Sequence, residues 1–214
     1  MKILNLYAGI GGNRKLWGND HDITAVEWDE ETAKVYQDYF PNDEVIIADA
    51  HQYLLQNYMG YDFIWTSTPC PTHSDTNYAA SARGKRRKAR YPDMKLYQEI
   101  ILLRKWFDGK WVSENVKPYY EYLIEPTKVI GRHPFWCNFK LGSLDINYKT
   151  TIAESSYKDY EREYGYDLSN YSFDNYERRK RLRNCVHPKI GKHILDRAQN
   201  IIRKSDTEQT ALEL

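Results

Sequence analysis

Four apolar runs in the first third of the chain each end in a residue capable of chemistry, and they recur about every twenty positions. The first covers residues 2–7 (KILNLY) and leads into Ala8-Gly9-Ile10-Gly11-Gly12. The second, residues 23–28 (ITAVEW), carries Glu27 near its end, and the third, residues 44–48, stops at Asp49. The fourth, Phe63-Ile64-Trp65, passes through small polar residues to Pro69-Cys70-Pro71. Each interval fits one strand plus one helix. Right-handed crossovers then bring all four run ends to one edge of a parallel sheet. This pattern predicts an α/β fold with a doubly wound, mostly parallel sheet. The carboxyl edge of such a sheet is where ligands collect.

Further elements continue the alternation. Asp29 is placed to cap a helix over 30–39, which Pro41 closes, and a second helix runs to about Tyr58. A helix over 94–107 carries Leu96, Ile100, Leu103 and Phe107 on one face. Trp111 to Ser113 forms a fifth strand that runs into Glu114, and residues 135–141 form another. A final helix covers 189–203. The expected organisation is a core of 1–147 and 177–204, an insert of 148–176 and a flexible tail of 205–214.

The run ends carry alternative readings. The glycines serve either as a plain tight turn or as a close backbone approach to a ligand. Glu27 follows them at the spacing where dinucleotide-type folds hold a ribose. Asp49 is either a helix cap or a site acid. Cys70, held between two prolines that halt both strand and helix, is either a small buried hydrophobe or a nucleophile. Glu114 in a partly apolar cleft can hold a proton near neutral pH. His73 lies three residues after Cys70 and suggests a Cys-His hydrolase, but that would leave the glycine turn, Glu27 and Asp49 without a role.

Charge and cysteine usage narrow the partners. Net charge is only +1, yet residues 83–90 (RGKRRKAR) pack six cations into eight positions, and 178–183 (RRKRLR) form a second basic block. The first block is a solvated loop or, as its self-repulsion favours, a phosphate-binding loop beside Cys70. The six tyrosines between 157 and 176 either stack on bases or pack a small lid. Three cysteines without pair spacing indicate a reducing compartment, and no CxxC, HxH or HxxxH ligand pattern is present, so no metal is expected. No apolar run has membrane-spanning length and no signal-peptide pattern opens the chain, which leads to the expectation of a cytoplasmic protein without a membrane partner.

In this order the residues resemble the DNA cytosine-5 methyltransferases. Leu6-Tyr7-Ala8-Gly9-Ile10-Gly11-Gly12 is similar to the family's opening turn, and Val26-Glu27-Trp28-Asp29 to its second motif. Thr68-Pro69-Cys70-Pro71, with Ser74 beyond, resembles the Pro-Cys motif, and Glu114-Asn115-Val116 the Glu-Asn-Val motif. Arg183-Asn184 to Pro188 is similar to the closing Asn-x-x-Pro region.

The resemblance implies a Rossmann-like methyltransferase fold and S-adenosylmethionine as cofactor. It implies cofactor contacts from Tyr7, Ala8, Gly9, Gly11, Gly12, Glu27, Trp28, Asp49, Ala50, Pro69 and Asn184. Glu27 would hold the ribose, Trp28 would pack on adenine and Asp49 would face the adenine amine. Catalysis would fall to Cys70, Glu114 and Arg132, the last from Gly131-Arg132-His133, the nearest counterpart of the family's Gln-x-Arg-x-Arg. Ser74, Arg83, Lys85, Arg86, Arg87, Lys88 and Arg90 would contact double-stranded DNA with the target base flipped out. Pro71 stands where the family usually has Gln, and the insert is short for a target-recognition region. These departures keep open a weakly active or inactive DNA-binding regulatory relative, an RNA cytosine-5 methyltransferase, and a subunit whose sequence recognition comes from a second protein. The implied setting is bacterial or phage-encoded, as in restriction-modification.

Overall fold

Parallel strands covered on both faces need near-continuous apolar sequence, and the chain supplies it five times. A computed structural model describes residues 1–75, 78–79, 90–151 and 154–201. Strands β1 (Lys2–Leu6), β2 (Asp22–Glu27), β3 (Glu44–Ile47), β4 (Phe63–Thr66) and β5 (Lys110–Glu114) are mutually parallel. β6 (Lys128–Ile130) and β7 (His133–Cys137) form a hairpin whose β7 runs antiparallel to β5. The seven-stranded order is β3-β2-β1-β4-β5-β7-β6. Strand order reverses between β1 and β4, so the glycine turn after β1 and the Cys70 loop after β4 flank the crevice where open α/β sheets bind ligands.

Alternation along each strand makes two cores. On one face Leu4, Leu6, Val26 and Ile64 pack against Leu54 of α2 (Ala50–Asn57) and Leu96, Ile100 and Leu103 of α3 (Lys95–Trp106). On the other, Ile3, Ile23, Phe63 and Trp65 meet Trp17 and Ile190, Ile194 and Leu195 of α6 (Pro188–Ala198). Each such side chain contributes about 1.5–3 kcal/mol when fully buried.

Helix α1 (Glu30–Tyr39) follows β2, and the Asp29 side chain accepts from Thr32 N at 2.9 Å as its cap. The glycine turn, in contrast, leads only into a short 3-10 turn, Asn13–Leu16, instead of a helix. α6 packs directly on that turn because Gly191 allows it: a Cβ there would lie 2.1 Å from Asn13 O. α6 also ends at Ala198, short of position 203.

The strand expected over 135–141 begins and ends earlier. The two-residue turn Gly131-Arg132, with Gly131 at φ +60°, fixes the hairpin so that β7 starts at His133. Asn138 stops it, because its side chain accepts from Trp111 N at 3.1 Å and donates to Gly109 O at 2.8 Å.

The stretch after position 148 holds helix α4 (Tyr157–Tyr164), with a Ser156–Asp159 capping box, and α5 (Asn175–Arg183) begins at its end. Tyr160, Tyr164 and Tyr166 are buried with Ile10, Val35, Leu168, Phe173 and Leu182. The tyrosines therefore dock this segment onto α1 and the glycine turn rather than onto the open sheet. Tyr166 seals the contact by donating to Ile10 O at 2.9 Å. The 176/177 position falls within α5. The tail of 205–214 lies outside the described residues. Among those described, no helix is long and apolar enough to cross a membrane.

Candidate active site

The strand ends converge on two connected features. The first is a cavity of about 480 Å³ lined by Tyr7, Val26, Glu27, Trp28, Ile47, Ala48, Asp49, Ala50, Pro69 and Lys95. Six residues expected at a cofactor are among these. Trp28 and Ile47 flank it with large apolar surfaces that are 74% and 55% exposed. Ile47 and Lys95 carried no role in the sequence; the signal for Ile47 was its place at the end of β3, beside Asp49.

Glu27 organises one wall. Its Oε1 accepts from Trp28 N (3.0 Å) and Asp29 N (3.1 Å), and its Oε2 accepts from Gly9 N (2.9 Å). Burial raises its pKa and these three N–H groups oppose that rise. The carboxylate thus pins the glycine turn to the end of β2 and keeps acceptor capacity for a ligand hydroxyl. Asp49 caps a helix and also lines the cavity. Oδ1 caps α2 through Gln52 N at 3.1 Å, while Oδ2 lies 3.4 Å from Lys95 Nζ at the cavity.

Tyr7 holds an uncommon backbone, φ +54°, which aims its hydroxyl inward to donate to Glu99 Oε1 at 2.5 Å. Burial and then the Glu99 charge push the Tyr7 phenol far up, so it stays neutral. The buried Glu99 also takes a hydrogen bond from Thr66 and lies 2.9 Å from His51 Nδ1, which raises the His51 pKa.

Not every expected cofactor residue reaches the cavity. Ala8 is buried beneath the turn among Ala25, Tyr36 and Phe40. Gly11 and Gly12 press instead against Phe40 and Cys185. Asn184 caps the carboxyl end of α5 on the exposed surface and is not among the lining residues.

The second feature joins the ends of β4 and β5. Cys70 is half-buried, and its carbonyl accepts from His73 N (3.0 Å) and Ser74 N (3.1 Å), so Pro71 opens a helix-like turn, a place that tolerates proline. Ser74 bridges to Pro118, beyond Glu114. Asn115 welds the two strand ends: Nδ2 donates to Thr68 O (3.0 Å) and Thr68 Oγ1 (2.9 Å), and Oδ1 accepts from Val116 N (2.8 Å).

Burial and then the Glu114 charge push the Cys70 thiol up to about 11, with Arg183 opposing weakly. The loop residues Arg83, Lys85, Arg86, Arg87 and Lys88 lie outside the described residues, and Arg90 is exposed.

Arg132 does not stand beside Glu114 directly. His133 intervenes, with Nδ1 2.5 Å from Glu114 Oε1 and Nε2 3.3 Å from Arg132 Nε. The Arg132 guanidinium lies 5.1 Å above the Tyr148 ring. The sequence assigned His133 no function; the Gly131-Arg132 hairpin turn that aims it was its only signal. The second basic block is partly structural, since Arg181 reaches Asp29 (3.3 Å) and Glu31 (3.4 Å) and covers the Phe173 ring. A smaller polar cavity of about 210 Å³ lies between residues 147–163 and the start of α6 and is lined by none of the strand-end residues. Among the described residues no group of His, Cys, Asp and Glu is placed to hold a metal.

Comparison with known proteins bears on the family and the fold. The family model for C-5 cytosine-specific DNA methylase matches residues 1–120. No curated protein sequence matches the chain. A methyltransferase of Entamoeba histolytica, EhMeth, superposes with TM-score 0.58 at 8% identity, over 95% of this chain and 99% of that one. That likeness shows the fold. A mutant DNMT2 of Spodoptera frugiperda is 27% identical over 54% of this chain, with TM-score 0.37, and the match spans only 35% of the DNMT2 chain.

Proposed function

The chain belongs to the C-5 cytosine-specific DNA methylase family, and on that premise we propose that it methylates carbon 5 of a flipped-out cytosine in DNA through a covalent bond to Cys70. S-adenosylmethionine is the cofactor, and it supplies an electrophilic methyl group when bound. The residues present suit it: Trp28 and Ile47 offer apolar faces for a purine, Glu27 keeps lone pairs for ribose hydroxyls, and Asp49 faces the same space. Pro69 connects that cavity to Cys70.

Carbon 5 of cytosine becomes nucleophilic only after addition at carbon 6. The Cys70 thiolate forms the sulfur–carbon bond there, the ring double bond shifts its electron pair toward nitrogen 3, and Glu114 gives nitrogen 3 a proton. Carbon 5 then takes the methyl group. A base, water in the simplest case, removes the carbon-5 proton. The sulfur leaves with its electron pair, and the nitrogen-3 proton returns to Glu114.

In the free protein, burial and then the Glu114 charge hold Cys70 as the thiol. The reactive form is thiolate plus carboxylic acid, one proton shifted between neighbouring strand ends. The observation that carries the proposal is the joining of the Cys70 and Glu114 strand ends by Asn115, whose amide donates to both Thr68 O and Thr68 Oγ1.

Incubation with labelled S-adenosylmethionine and DNA containing 5-fluorocytosine is expected to give a denaturation-resistant protein–DNA adduct. Cys70→Ser should bind the cofactor and form none. An adduct with fluorinated RNA alone would reassign the substrate. No adduct on either nucleic acid, with the cofactor bound, would sink the enzymatic reading.

A further inference from the structure

His133 is buried on the first residue of β7, and both its ring nitrogens have partners. Nε2 lies 3.3 Å from Arg132 Nε, a guanidinium nitrogen that can only donate. Nε2 must therefore present its lone pair. A neutral imidazole carries one N–H, so the proton is on Nδ1 and is donated to Glu114 Oε1 at 2.5 Å. With Oε1 committed as an acceptor, a proton on Glu114 has one place left, Oε2.

We infer that His133 is a positioning residue for methyl transfer: held in its Nδ1–H tautomer by Arg132, it fixes Glu114 so that the proton the base needs sits on Oε2. This rests on Glu114 being the proton donor proposed above, and it gives Arg132, expected as a catalytic residue, the role of a lock on the imidazole. The lock has its own support. Tyr148 underlies the guanidinium, and a Cβ at Gly131 would come within 2.4 Å of Tyr148 Oη, so the turn and the start of the 148–176 segment fit closely. The groups facing His133 are Glu114 from β5 and Arg132 from its own turn. One layer out are Tyr148 and, across Glu114, Cys70.

Glutamine is the informative replacement, because its amide can donate to Glu114 and accept from Arg132 without titrating. His133→Phe keeps the ring volume and removes both bonds. Loss of one charge-assisted hydrogen bond predicts a kcat roughly tenfold to a hundredfold lower in His133→Phe, with cofactor affinity unchanged. His133→Gln should restore kcat to within about threefold of the parent. Equal losses in the two variants, or full activity in His133→Phe, would overturn the inference.

An arm independent of activity uses the whole protein with ¹⁵N-labelled histidine. Imidazole nitrogen shifts should report the Nδ1–H tautomer for His133, and Arg132→Leu should release Nε2–H. A parent protein showing Nε2–H would also overturn it. If the protein methylates nothing, the proposed function fails while this arm still decides what His133 does.

Discussion

Burial and the Glu114 charge together hold the Cys70 thiol near 11, and only the second cause can be removed by changing one neighbouring residue. Glu114→Gln should therefore lower the pH at which Cys70 alkylates, read by iodoacetamide labelling and peptide mass analysis. An unmoved midpoint would mean that burial acts alone and that the two residues are not coupled. His51 gives a second residue-level expectation. Its hydrogen bond to Glu99 raises its folded pKa above the unfolded value of about 6.5. The folded state then binds the proton more tightly, so this contribution to stability is complete below about pH 6.5 and is lost as pH rises through the raised value. Thermal midpoints of the parent should fall over that rise, and His51→Gln should flatten the slope. Cys70, Glu27 and Asp49 were legible in the sequence because a strand end followed by a breaker or a cap is a local signal. His133 was not, since its importance comes from a partner nineteen residues away on another strand.

At the scale of elements, the parallel strands could be read because a doubly covered strand announces itself by continuous apolar residues. The β6–β7 hairpin could not, because its register depends on Gly131 and on the Asn138 side chain closing over β5. Two changes test how elements are joined. Asn115→Ala removes the link between the β4 and β5 loops and leaves buried Thr68 groups unpaired, so it should cost about 2–3 kcal/mol in urea unfolding. Gly191→Ala forces α6 off the Asn13–Leu16 turn and should cost about 3 kcal/mol by the same measurement. A neutral result there would show that the 3-10 turn yields easily.

Across the whole molecule, a net charge of +1 conceals strong local asymmetry. If the 83–90 block meets phosphates, Arg86→Ala with Arg87→Ala should reduce the slope of log affinity against log salt by about two, as fluorescence anisotropy with duplex DNA would record. An unchanged slope would make the block a bystander. The charge run is readable from the chain, and residues 83–89 lie outside the described residues. For the tyrosine-rich segment, composition suggested packing, but its contacts with α1 and the glycine turn span more than a hundred residues of sequence.

That segment touches the protein at both ends of the chemistry, through Tyr166 on the glycine turn and Tyr148 beneath Arg132. An engineer who wished to retarget the protein by swapping in a foreign specificity cassette would therefore also exchange parts that brace the cofactor turn and the Glu114 clamp. A transplant that conserves Tyr148, Tyr160, Tyr164 and Tyr166 and changes only exposed positions between them is the graft this architecture can accept.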